Sequence, residues 1–168
     1  MALNEALLMD FDQEMGKTRK ALERIPDEKF DWKPHPKSMT MRQLAVHLAL
    51  FPDWMKVTME KPSFDYAPEG GEGYKPPAIN SRRELLEVFD RDVAQARASL
   101  QSADDAHLMK TWSLLAGGKT IFSMPRVAVL RGMVLNHMIH HRGQLTVYLR
   151  LNDRPVPAIY GPSADEQQ

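Results

Sequence analysis

The chain contains no cysteine, which excludes a disulfide framework, a thiolate metal site and a cysteine nucleophile. It has no excess of either charge, because 22 Lys and Arg balance 22 Asp and Glu to a formal net charge of zero. Such a balance offers no electrostatic footprint for nucleic acid or an anionic membrane, so neither partner is expected. No apolar run approaches the ~20 residues of a membrane span. Glu5, Asp10, Asp12 and Glu14 precede the first basic residue, Lys17, the reverse of a secretory signal. The expectation is a cytoplasmic protein of 168 residues in a single domain, 1–168, with 43% hydrophobic residues to build its core. Its chemistry must come from histidine, carboxylate or hydroxyl groups.

Apolar residues at helical spacing from Leu3 to about Arg24 predict a first helix, stopped by Pro26. Thr40 followed three residues later by Gln43 forms a capping box, so a second helix should run to about Met59, with Pro52 bending it. Residues 61–80 hold four Pro and three Gly and read as a long crossover loop. Ser81 and Glu84 form a second box that opens a third helix, ending near Ser102. Gly117-Gly118 between two short apolar stretches reads as a small hairpin-like excursion. Pro125 then suits the first turn of a fourth helix, reaching about Leu151. The fold class expected is all-α, a four-helix bundle with helices 2 and 3 parallel across the crossover.

On the fourth helix His137 and His141 stand four residues apart, about 40° apart around the axis, so both imidazoles share one face. That face also carries Leu130, Met133, Val134, Gln144 and Tyr148, and therefore points into the core. Burying two polar rings together needs a shared partner. His47, on a core-directed face with Leu44, Leu50, Phe51 and Trp54, is a candidate third ligand of a His₃ site with positions open to water. His140 lies about 60° from His137, at the margin of the face. His35, flanked by prolines, and His107, in a charged connection, read as surface residues. The fourth helix contains no Asp or Glu, which excludes both the His-Glu-x-x-His proteases and the Glu-x-x-His di-iron bundles. A phosphate-binding glycine loop and a Gly-x-Ser-x-Gly elbow are absent as well.

Three segments carry a resemblance. They are Leu44-Ala45-Val46-His47-Leu48, the run His137-Met138-Ile139-His140-His141-Arg142-Gly143-Gln144-Leu145, and the tail from Pro155 to Ser163. With them the sequence resembles the DinB/YfiT-like family of metalloenzymes. The resemblance implies a four-helix bundle in which His47, His137 and His141 ligate one divalent ion, zinc or nickel, and a homodimeric assembly. It also implies a small-molecule substrate, handled either by a metal-dependent hydrolase or by an S-transferase using a low-molecular-weight thiol. A non-catalytic metal-binding or stress-response module is the competing reading. Gln144 and Tyr148 are candidates to orient the ligands, whereas Arg142 projects about 140° away from His137. On the opposite face Gly132 and Gly143 lie nearly in line, with Ala128, Asn136, Ile139 and Thr146 beside them. That small-residue face is expected either to meet a second subunit or to seat helix 1 or the tail.

Overall fold

Helix α1 (Leu3–Glu23) buries Leu7, Phe11, Met15 and Leu22 at spacings of four, four and seven residues, the stripe of an amphipathic helix. A computed structural model describes residues 2–167 and resolves that stripe within a continuous core. After a short 3₁₀ turn at Asp27–Lys29, Thr40 starts α2 (Met41–Ala49): its hydroxyl accepts from the Gln43 amide while the Gln43 side chain accepts from the Thr40 amide. The second expected helix is in fact two. Pro52 has no amide hydrogen for the preceding turn, and the chain restarts at Leu50 as α3 (Phe51–Glu60).

The crossover contains the short strand β1 (Ser63–Asp65). Then comes α4 (Arg82–Gln101), where Ser81 accepts from the Glu84 amide but the Glu84 carboxylate reaches back to Asn80 rather than to Ser81. The single-turn α5 (Asp105–Met109) leads into β2 (Thr111–Ala116) and β3 (Lys119–Pro125). These two strands are antiparallel, joined by Gly117-Gly118 with φ of 57° and 71°, values that glycine adopts without steric cost. Strand β1 pairs parallel with β2, giving a three-stranded sheet in the order β1-β2-β3. The fold is therefore mostly helical with a small sheet, which corrects the expectation of an all-α protein. Three residues between prolines and glycines are too few to show the period-2 pattern that would have revealed β1. Asp65 secures the sheet to the loop by accepting from the amides of Ala67, Gly117 and Gly118.

The last helix is continuous but not uniform: α6 (Arg126–Val129), a π-helical segment at Leu130–Asn136, and α7 (His137–Leu151). Cross-helix bonds fix the directions. Arg42 with Asn80, Lys56 with Gln95 and Ser99 with Glu60 advance together, so α2–α3 and α4 run parallel as expected. Arg19 with Asp90 and Arg97 with Asp12 set α1 antiparallel to α4. Buried Arg126 donates to the carbonyls of Thr58 and Lys61, satisfying the end of α3. Among the described residues no helix is long and apolar enough to cross a membrane.

A buried ion pair locks the last helix to the first. Arg142, 2% exposed, donates to Glu14 Oε2 at 2.6 Å, to the Glu14 carbonyl at 3.0 Å and to Thr18 Oγ1 at 3.2 Å. Tyr160 from the tail joins both charges, at 2.7 Å from each. Burial by itself would raise the Glu14 pKa, but the Tyr160 and Arg142 hydrogen bonds outweigh it and hold the carboxyl below its usual value. Removing one partner strands the other charge, so Glu14→Ala should cost about 3–5 kcal/mol. The paired change Glu14→Leu with Arg142→Met should cost clearly less, because no unpaired charge is left behind. Urea unfolding of the three proteins checks this; equal losses would contradict it.

Candidate metal centre

His47, His137 and His141 come together where α2 meets the carboxy-terminal helix, and their ligand nitrogens lie within 4.8 Å of one another. Each position has a local cause. His47 sits in the last turn of α2, just before the break at Leu50, where the chain turns into α3. His137 begins α7 directly after the π segment, a rare backbone form found disproportionately at functional sites. His141 is one turn further along the same face. The Phe51 ring packs on His47 and His137 with centroids 4.8 and 4.9 Å apart, closing the cluster from the core side.

Hydrogen bonding aims the rings. Gln144 donates from its amide nitrogen to His140 Nε2 at 3.0 Å, and its oxygen accepts from His141 Nδ1 at 2.7 Å. A proton on His141 Nδ1 leaves the Nε2 lone pair free, and that atom faces His137 Nε2 at 2.9 Å. Two nitrogens bound at about 2.0–2.1 Å to one ion stand about 2.9–3.4 Å apart for bond angles of about 90–109°. The spacing thus fits two ligands of one ion as well as it fits an imidazole–imidazole hydrogen bond. His137 Nδ1 is buried and has no partner of good geometry, although the Met133 carbonyl on that side favours a proton there.

Two of the three rings resist protonation. Burial, followed by the proximity of His141 and His137, pushes the His47 pKa down to about 4. Burial and then His141 also lower that of His137. Neutral imidazoles are the form that binds metal, so both shifts favour ligation. The donor set, three imidazoles without a thiolate or carboxylate, suits zinc, nickel, copper or iron. Three ligands rather than four is the pattern of a site that keeps a coordination position for solvent or substrate.

Two spaces reach the centre. A cleft of about 540 Å³ touches His47 and is walled by α2 and the loop around Pro76. A second cavity, about 360 Å³, touches His137 and lies between α3, the sheet and the π segment. Tyr74, in the crossover, borders both.

The other sequence candidates sort clearly. His140 is exposed and supports Gln144, as its marginal position suggests. Tyr148 does not orient a ligand: its hydroxyl donates to the Met39 carbonyl and its ring packs on Trp32 at 5.5 Å. Arg142 faces α1, away from the cluster. His35 is exposed, whereas His107 is half-buried, with Nε2 2.9 Å from the Met59 carbonyl, so its surface placement holds in part. Sequence reasoning missed Phe51's role as the floor of the site; its helical offset of four from His47 is the signal that was available.

The DinB family profile matches residues 1–168, and the chain belongs to the DinB family. A DinB-like protein of Bacillus cereus shares the fold with a TM-score of 0.70 at 24% identity, over 93% of this chain and 97% of that one. A second DinB-like protein, from Bacillus subtilis, gives 0.68 at 18% identity over 90% and 95%. The uncharacterized protein YrdA of Bacillus subtilis (strain 168) is 23% identical over 163 residues, 95% of this chain and 89% of YrdA.

Proposed function

We propose that the protein is a metal-dependent enzyme for a small-molecule substrate, with one divalent ion, zinc or nickel, held by His47, His137 and His141. The observation that carries this reading is the convergence of three imidazoles, with no fourth ligand among the described residues, at a place reached by two cavities. An ion in that position supplies Lewis acidity, which lowers the pKa of a thiol or of water. The chain's own residues do the rest. Gln144 fixes the His141 tautomer, Phe51 excludes water from the core side, and the cleft at His47 admits the cosubstrate.

Thiol S-transfer is the reaction this site supports best, ahead of hydrolysis. The cleft is lined by Lys37 and Arg42 and by no carboxylate, an environment that favours an anionic thiol. Arg42 contributes field rather than free donors, since it already bonds the Ile79 carbonyl, Asn80 and Asp31. The reading places the protein in the cytoplasm, where such thiols stay reduced. Zn²⁺- and Ni²⁺-loaded protein should transfer a low-molecular-weight thiol to an electrophilic small molecule faster than it cleaves nitrophenyl esters. Gln144→Leu should lower metal affinity about 10–100-fold by freeing the imidazole it orients. Ester cleavage with no thiol transfer would reverse the order, and a bound ion with neither activity would favour the non-catalytic module.

The reading includes a homodimer. Gly132 and Gly143 are exposed, and a Cβ placed on either meets nothing within 4 Å, so neither α1 nor the tail is seated on them. With Ala128 and Asn136, also exposed, they form a flat uncharged face suited to a second copy. Wild-type protein should sediment as a dimer at high micromolar concentration, and Gly132→Leu as a monomer that keeps its metal. A wild-type monomer would refute the assembly.

A further inference from the structure

The cavity beside His137 has a chemistry that neither the ligand set nor the family assignment specifies. Its wall is dominated by aromatic rings from four parts of the chain: Trp54 of α3, Phe64 of β1, Tyr66 and Tyr74 of the crossover, and Trp112 and Phe122 of the hairpin. Thus the small sheet, the expected hairpin extended by β1, supplies one side of a space that ends at a candidate metal ligand. Asp53 is the sole carboxylate in the lining, and burial raises its pKa. An anionic ligand would lose hydration there without gaining a counter-ion.

Size and an apolar lining narrow the occupant. An apolar cavity of about 150 Å³ accommodates benzene, so about 360 Å³ admits one or two fused rings. Trp112, 5% exposed, carries a buried indole N–H with no acceptor in the protein. The indole N–H of Trp54 is buried in the same state, approached by the Tyr74 hydroxyl without a bond of ordinary geometry. Both N–H groups are sealed away from the cavity surface, which is almost wholly apolar, so the occupant is selected by its rings rather than by a hydrogen bond.

We infer that this cavity binds a neutral, apolar one- or two-ring group, and holds it against His137 as the recognition element of the small-molecule substrate. The substrate role rests on the proposed metal centre; the binding itself does not. That separation sets the test, in which metal-free protein is titrated calorimetrically with indanone, a neutral two-ring probe, and with benzoate, an anionic ring. Indanone should bind saturably at one site with a dissociation constant below about 1 mM. Benzoate should not bind measurably.

Val57→Trp on α3 and Leu114→Phe on β2 each place a larger side chain into the space from a half-buried position. Each should weaken indanone binding about tenfold or more, while circular dichroism reports whether the variant is folded. Either folded variant suffices. In Co²⁺-loaded protein the ring protons of bound indanone should relax faster than in Zn²⁺-loaded protein, which places the ligand beside the ion. Failure of Co²⁺ to bind removes the metal reading and leaves the calorimetry to decide the cavity. Absence of saturable indanone binding, undiminished affinity in the folded variants, or equal affinity for benzoate overturns the inference.

Discussion

Three imidazoles share one largely buried corner of the bundle, and the surrounding structure aims their nitrogens at each other. Removing polar rings from water is unfavourable unless their nitrogens find partners. Gln144 satisfies one nitrogen of His141, while the remaining lone pairs converge on a common point. The break between α2 and α3 places His47 opposite α7, and the π segment ends where His137 begins. Phe51, fully within the core, fixes the depth at which the rings stop.

The same helix carries two buried polar systems on different sides. His137 and His141 look toward α2, while Arg142 looks toward α1 and binds Glu14, Thr18 and the tail through Tyr160. The ion pair is separate from the candidate site yet holds the helix that presents it. In this arrangement the tail residue Tyr160 and the candidate metal centre meet different sides of one turn of α7, without any shared hydrogen bond.

Much of this was legible in the sequence because helical periodicity is a local property. The capping box at Thr40, the spacing of His137 and His141, and the core-directed face of His47 each follow from residues within one or two turns. The parallel course of the second and third helices followed from the length of the crossover. What escaped depended on distant contacts or on weak local signals. Strand β1 exists because β2 is there to pair with it. The π segment has no proline to mark it, and Gly132 alone gives no period to read. Glu14 looked like one of several surface acids until Arg142, 128 positions away, was seen to cover it. Tyr148 was assigned to the ligand face by angle, but its length carries the hydroxyl past the cluster to Met39.

The central claim is that these three histidines hold one ion, and X-ray absorption on protein purified without an affinity tag and loaded with Zn²⁺ tests it most directly. The account predicts one ion per chain with three imidazole nitrogens at about 2.0–2.1 Å, and loss of that signature in a folded His137→Ala protein. A first shell dominated by carboxylate oxygen, or an unchanged imidazole shell in His137→Ala, would contradict it.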